Sequence, residues 1–485
     1  VVERSAAFAA GAMAASIVAG DPASTWRGAA IDSRRVRGGE IFFALEGERT
    51  DGHRFAGAAV DAGAAAVVVH RELEPADGAA WLRVEDSYRA LHDLTRAVRA
   101  EVPERLVGLT GSVGKTTTKE LLAAMLARRY RTARTPGNLN NLYGFPLSLL
   151  GVPDDCQWMV AEMGMSTPGE LRGVSLLGRP DAALLLNVRP AHLASFDDLR
   201  GIAEAKAEIL AGLAPGGTVV ANADDPEVMG IVERHAGRAG AGRIVRFGFA
   251  DGTGAEVRGS DLEPLAGRPG CRFRITVGAG TGNADDATES HWIELPIHGL
   301  YNAENALAAA ACAHALGVGL DQIAAAVADF RPGKMRGEVH RLPSGATVVD
   351  DSYNSNPVAA ERALESARAL PADRYLAVLG DMRELGDGSA DFHRRVGRRA
   401  AELGFAVVAV GEEARRLAEG AGAAGASVEW YADADAAARW AASALADDRF
   451  ADGDLVLVKG SRGVGLEAVV RALLAPVATA EGGRG

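Results

Sequence analysis

The stretch Gly108-Leu-Thr-Gly-Ser-Val-Gly-Lys-Thr-Thr-Thr118 decides the fold. Apolar Leu106, Val107 and Leu109 lead into it, and a helical run, Lys119-Glu-Leu-Leu-Ala-Ala-Met-Leu126, follows. Strand, glycine-rich turn and helix, in that order, form the setting of a phosphate-binding loop. Gly111, Ser112, Val113 and Gly114 would bring backbone N–H groups round phosphate oxygens, and the helix N-terminus adds partial positive charge. Lys115 would reach the β- and γ-phosphates, the Thr116 hydroxyl would ligate Mg²⁺, and Thr117 continues the cradle. The strict motif has four residues between its glycines. Five separate Gly108 from Gly114, so this is a variant that keeps Gly111-x-x-Gly114-Lys115-Thr116. Without its flanks the string also fits a glycine-rich turn with an exposed lysine. With them, nucleoside triphosphate binding is the expectation.

The chain has 485 residues, room for about three domains. It is 48% hydrophobic, rich in alanine and glycine and poor in aromatics, which suits close helix-on-sheet packing. A formal charge of −12 without a long basic run leaves no electrostatic footprint for nucleic acid. Cys156, Cys271 and Cys312 are far apart and have no metal-ligand spacing, so a reducing, cytoplasmic setting is expected. No apolar stretch is long enough for a membrane span. The Ala-rich start at Ala6 lacks a basic lead and is expected to be a first helix, not a signal peptide. With no initiator Met at position 1, the expectation is a true start that is trimmed or lies upstream.

Residues 1–105 read as a small α/β unit with strands at Ile41–Leu45 and Ala64–His70. Its polar clusters, Asp32-Ser33-Arg34-Arg35 and Asp51-Gly52-His53-Arg54-Phe55, also fit a plain turn and a loop entering a helix. Residues 106–333 repeat strand, turn and helix. Candidate strands Trp158–Glu162, Ala183–Asn187 and Thr218–Ala221 are short apolar runs ending in or just before polar residues, as buried parallel strands do. Glu162 falls at a strand's carboxyl end, where a phosphate-binding fold places an Mg²⁺ carboxylate. His192 and Lys206 have no local distinction: the first fits a polar loop, the second a solvated helix face. Residues 251–290 read as a small antiparallel insert. Asn302 and Asn305 share one face at the start of an Ala-rich helix, for which capping would explain only one.

Residues 334–485 read as a third, Rossmann-like domain, with strands near 347, 375, 406 and 455 and a disordered tail from Ala478. Asp381, Arg383, Lys459 and Arg462 lie at its strand ends, a set suited to anionic ligands. The fold class is therefore α/β in three domains: a small N-terminal unit, a central doubly wound, mostly parallel sheet with the phosphate loop, and a Rossmann-like C-terminal domain.

Read together, these segments resemble the Mur ligases, the ATP-dependent amide-forming enzymes of peptidoglycan precursor synthesis, from about residue 10 to 470. Thr110–Thr116 resembles the family's ATP loop. Ser33, Arg34, Asp51 and His53 resemble its uridine-nucleotide-binding first domain. Three strings are similar to the members that add D-alanyl-D-alanine: Asn138-Leu-Asn-Asn-Leu-Tyr-Gly-Phe-Pro146, Asp350-Asp-Ser-Tyr-Asn-Ser-Asn-Pro357, and Leu379-Gly-Asp-Met-Arg-Glu-Leu-Gly386 with His393. The resemblance implies that Glu162, His192 and a carbamylated Lys206 join Thr116 at the metal, with two Mg²⁺ ions. It implies that Asn302 and Asn305 contact adenine, and that Arg336, Asp351 and Tyr353 close over ATP. Asn138, Asn141, Asn354, Asn356, Lys459 and Arg462 are the expected substrate-binding set. Tyr301 stands where the family typically has His.

The implied chemistry is acyl activation: the carboxylate of UDP-N-acetylmuramoyl-tripeptide takes the γ-phosphoryl group of ATP, and the amine of D-alanyl-D-alanine displaces phosphate. Lys115, Glu162, His192 and Lys206 are the expected catalytic set, in a monomeric cytoplasmic enzyme that does not insert into membranes. A nucleotide-hydrolysing switch protein is the rival class, but no Asn-Lys-x-Asp guanine reader is present. Another amine within the same fold remains a substrate-level alternative. Diaminopimelate and lysine stay equally open as the acceptor's third residue.

Overall fold

The structure, a computed structural model, describes residues 3–47, 50–102, 105–190, 195–196, 198–265, 269–278, 289–331 and 333–475. His192, the tail from Ala478 and residues 279–288 of the expected insert lie outside them.

The first sheet has five strands, in the order Ser16–Ala19, Ala80–Arg83, Ala66–Val69, Ile41–Phe43, Ala29–Ala30. All neighbours are parallel except the Ser16–Ala19 edge. Ile41, Phe42 and Phe43 are fully buried, since a central parallel strand is covered on both faces. Helix Ser87–Glu101 starts on Asp86, whose carboxylate accepts from the N–H groups of Tyr88 and Arg89. It buries Leu91, Leu94 and Val98, spaced for one helical face. That helix also leans on the second sheet: His92 Nε2 donates to Leu142 O at 2.8 Å, and Arg99 Nε to Gly178 O at 2.8 Å. One apolar core runs from Ala6 through Leu94 and Val98 to Phe145, Leu185 and Ala236. The first sheet and one face of the second therefore share an interior.

The second sheet has nine strands. From one edge they are Glu289–Leu295, Cys271–Val277, Val257–Pro264, Arg243–Gly248, Thr218–Asn222, Ala182–Leu185, Arg105–Thr110, Trp158–Glu162 and Thr132–Arg134. The expected insert is antiparallel, as read, but it is no separate unit. Val257 and Arg258 pair in parallel with Phe247 and Gly248, so the hairpin extends the main sheet. From strand Arg105–Thr110 the chain goes first to one side and later to the other. The crevice beyond that strand's carboxyl end is the switch point where such sheets place ligands.

The third sheet runs Glu338–Arg341, Thr347–Asp350, Asp454–Lys459, Arg374–Gly380, Phe405–Val410, Val428–Tyr431, parallel apart from its first strand. Two apolar clusters, one on each face, belong to it alone. Its carboxyl ends at Asp350, Gly380 and Lys459 face the crevice of the second sheet.

Candidate active site

A cleft of about 520 Å³ lies between the second and third sheets. Its floor is the loop Ser112–Gly114 and the first turn of helix Lys115–Leu126. Gly114 has φ +85°, a left-handed value that favours glycine, and a Cβ there would collide with the Asn305 amide. Asn187, just past strand Ala182–Leu185, holds the loop from below. Its Oδ1 accepts from Ser112 N at 3.1 Å and Val113 N at 3.0 Å, and its Nδ2 donates to Val113 O at 3.0 Å. Helix geometry leaves the N–H groups of Lys115, Thr116 and Thr117 as the unpaired first-turn donors that an anion can accept from.

The half-buried Lys115 donates from Nζ to Gly111 O at 2.8 Å. Burial lowers its pKa, against the pull of Glu162. Glu162 is 3% exposed. Its carboxylate accepts from Thr116 Oγ1 at 2.7 Å and from Asn140 Nδ2 at 2.8 Å, while its N–H donates to Thr135 Oγ1 at 3.1 Å. Asn140 is thus a site residue that the sequence reading passed over for its neighbours Asn138 and Asn141. Lys119 was also passed over. It is fully buried and donates to Thr135 O at 2.8 Å and Gly137 O at 2.9 Å, tying the phosphate-loop helix to the loop that carries Asn140.

Lys206, on helix Leu199–Ala207, is 3% exposed and has no ion-pair partner among the described residues. Burial, with Lys115 adding repulsion, drives its pKa well below the usual lysine value, which favours the neutral amine. A hydroxyl and a buried carboxylate offer the oxygen donors that Mg²⁺ prefers, and a neutral buried amine is the form that adds CO₂. Thr116 and Glu162 have the chemistry a metal needs, and Lys206, which is not among the residues lining the cleft, has the chemistry a carbamate needs.

Asn302 and Asn305 are buried on helix Tyr301–Ala315, whose cap, Leu300, makes no side-chain bond. Capping is therefore not their role. Asn305 Nδ2 donates to Asn302 Oδ1 at 2.9 Å, and Asn302 Nδ2 to His298 O at 2.8 Å. Tyr301 lines the cleft, and burial raises its pKa, keeping the phenol protonated. His298 is buried with Nε2 lacking a hydrogen-bond partner among the described residues, and burial pushes its pKa down to about 4. The folded state therefore resists a proton that the unfolded chain accepts near pH 6.5. Stability is expected to fall by about 3 kcal/mol as pH drops from roughly 6.5 to 4, and urea titrations should show that loss shrinking in His298→Phe.

The third sheet supplies the roof. The Arg336 guanidinium stacks 3.9 Å from the Tyr353 ring centroid, and Arg462 lies 5.9 Å from it. Lys459, expected to bind substrate, is buried and paired with Asp351 at 2.6 Å, and it also donates to Asn354 O at 2.9 Å. Two expected substrate asparagines have structural duties. Asn141 Oδ1 accepts from Tyr143 N at 3.2 Å and Gly144 N at 2.9 Å, and Asn356 Oδ1 caps helix Pro357–Arg368 through Ala359 N at 2.9 Å. Both, with Asn138 and Asn354, still line the cleft. His393 is fully buried and accepts from Met382 N at 3.0 Å.

Ser33, Arg34, Asp51 and His53 are not among the residues lining this cleft. Asp32, beside Ser33, holds Arg34 at 2.8 Å, and Asp51 accepts from both N and Nδ1 of buried His53. They form a second polar locus on the first sheet.

Residues 109–313 match the Mur ligase middle domain, 335–462 the Mur ligase glutamate ligase domain, and 26–99 the Mur ligase family catalytic domain. The chain is 35% identical over 443 residues to the UDP-N-acetylmuramoyl-tripeptide--D-alanyl-D-alanine ligase of Escherichia coli, covering 91% of this chain and 92% of that one. For the ligase of the same description from Bacillus subtilis the identity is 32% over 454 residues, with 92% and 93% covered. Among solved structures, MurF from Acinetobacter baumannii superposes with a TM-score of 0.84 at 30% identity, covering 98% of this chain and 99% of that one. MurF ligase from Thermotoga maritima in complex with ADP gives 0.76 at 30% identity, covering 92% and 97%. The phosphate loop, the carboxylate beside it and the roof above them thus sit in a chain that belongs to the Mur ligase family.

Proposed function

We propose that this protein joins D-alanyl-D-alanine to UDP-N-acetylmuramoyl-tripeptide, converting ATP to ADP and phosphate, in the cytoplasmic stage of peptidoglycan precursor synthesis. The observation that carries the reading is the cleft itself, where Lys115, Thr116 and Glu162 stand opposite Arg336, Asp351 and Arg462. Among the described residues no helix is long and apolar enough to cross a membrane. We assign the working form as a monomer.

The tripeptide carboxylate attacks the γ-phosphorus of ATP, the bond to the β-phosphate oxygen breaks, and an acyl phosphate and ADP result. Lys115 and the first-turn N–H groups hold the phosphate oxygens in place. Thr116, Glu162 and a carbamylated Lys206 would hold Mg²⁺, with His192 as a further ligand; the metal supplies charge neutralisation at the transferring group. The dipeptide amine then attacks the acyl carbon, phosphate leaves, and the nitrogen loses its proton. Asn302 and Asn305 would meet adenine. The locus at Ser33, Arg34, Asp51 and His53 would take the uridine end. The roof excludes water, which would otherwise hydrolyse the acyl phosphate.

Phosphate release from ATP and Mg²⁺ tests the reading, with diaminopimelate- and lysine-containing tripeptide acceptors run separately. Release is expected only when tripeptide and D-alanyl-D-alanine are both present. Release with a shorter acceptor and a free amino acid instead would move the substrate within the family. ATP turnover that ignores every acceptor would sink the ligase reading.

A further inference from the structure

Strand Glu338–Arg341 is the antiparallel edge of the third sheet, and it sets Glu338 directly opposite Asp350 of strand Thr347–Asp350. Directly opposed residues put their side chains on one face of a sheet. His340, two positions along from Glu338, shares that face. The imidazole and the two carboxylates each bring one ligand atom, and these atoms all lie within 4.8 Å of one another. None of the three side chains lines the cleft. His340 Nε2 and Glu338 Oε2 stand 3.8 Å apart, too far for a hydrogen bond. Asp350 is 4% exposed, and its Oδ1 accepts from Ser352 N at 3.0 Å and Ser352 Oγ at 2.6 Å.

Among the described residues Asp350 Oδ2 has no hydrogen-bond donor, and no lysine or arginine pairs with Asp350 or Glu338. The basic side chains on and beside these strands are engaged elsewhere. Lys459 pairs with Asp351 at 2.6 Å, Arg341 donates to Gly345 O at 2.6 Å, and Arg336 lies on the Tyr353 ring. Burial raises the Asp350 pKa, with Asp351 and Glu338 adding repulsion. Two carboxylates in one partly enclosed corner repel unless a cation joins them. One imidazole nitrogen with two carboxylate oxygens suits a transition ion such as Zn²⁺ better than Mg²⁺, and leaves a position for water. We infer that Glu338, His340 and Asp350 bind a divalent transition-metal ion of the Zn²⁺ class, at a site separate from the nucleotide's metal. Such an ion cross-links the two strands from which the roof departs. Arg336 precedes one of them, Asp351 and Tyr353 follow the other, and Tyr353 N donates to Met335 O at 3.1 Å. The inference stands whether or not the proposed ligase reaction does.

Equilibrium dialysis of the full-length protein against micromolar Zn²⁺, with millimolar Mg²⁺ present, tests this by metal content. About one Zn²⁺ per chain is expected to remain in wild type and in Glu162→Gln, whose substitution lies at the phosphate loop. His340→Ala and Glu338→Gln should each weaken Zn²⁺ binding roughly tenfold or more, since even the outer partners of a metal ligand are worth that much. Zn²⁺ should also raise the Tm of wild type and leave that of both variants unmoved. Glu338 is half-exposed, so its amide variant keeps the test readable should His340→Ala unfold. A wild-type protein that retains no Zn²⁺ would overturn the inference, as would retention that survives both substitutions. Loss of the ion in Glu162→Gln alone would overturn it too, because the metal would then sit at the phosphate loop.

Discussion

Lys115→Met is expected to lower acceptor-dependent phosphate release by roughly a hundred- to a thousandfold, the usual toll of deleting one preorganised charge from a transition-state site. Among the described residues the lysine's hydrogen bond runs back to Gly111 O, so in the free enzyme it braces the loop lightly. Its pKa is lowered by burial, which means the folded state carries a cation it would rather not solvate poorly. Methionine fills similar space without that charge. Thermal stability should therefore hold or rise while activity collapses, and calorimetry beside the phosphate assay separates the two effects. Equal losses of stability and rate would instead make Lys115 a structural residue.

The second large effect is at Lys206. Lys206→Met should reduce turnover by at least a hundredfold, about 3 kcal/mol of lost transition-state stabilisation. Wild-type activity should also decline in CO₂-depleted buffer and return with bicarbonate, whereas the variant should respond to neither. The stability effect has the opposite sign. Because the folded pKa lies below 10.5, the unfolded chain holds the proton more tightly. Burial's penalty is complete at pH values below the folded pKa and fades as pH rises toward the unfolded value. Lys206→Met should then be more stable than the CO₂-free wild type at neutral pH, with the gap closing in alkali. A variant that is active, or less stable at neutral pH, would remove Lys206 from the metal site.

The parts of this molecule that were legible in the sequence are those whose chemistry is local. The phosphate loop, the strand ending at Glu162 and the paired amides of Asn302 and Asn305 each depend on residues a few positions apart, so spacing alone exposes them. Asn187, Asn140 and Lys119 were invisible because their partners lie elsewhere in the chain: Asn187 serves a loop 74 and 75 residues away, and Asn140 a carboxylate 22 residues on. Lys206 stood out only through resemblance, since nothing in an Ala-rich helix reveals which lysine will be enclosed. The antiparallel character of residues 251–290 was legible, but the attachment of strand Val257–Pro264 to the main sheet was not, because strand register against Arg243–Gly248 is a tertiary fact. Asn356 sits where two readings meet: Asn directly before Pro is the signature of a helix start, and the residue that caps that helix also lines the cleft.

The interior common to the first sheet and the near face of the second turns those two bodies into a ruler. On the proposed reading, one end grips the uridine and the other holds Lys115, and nothing between them slides. The acceptor must therefore span a fixed gap. Each extended residue adds about 3.5 Å, so a peptide one residue short leaves its carboxylate that far from the phosphoryl group. Such an acceptor should bind through its nucleotide yet release no phosphate, and turnover at the tripeptide rate would show that the gauge gives. Selection of the acceptor would then be a matter of measured length, settled before the third residue's side chain is felt.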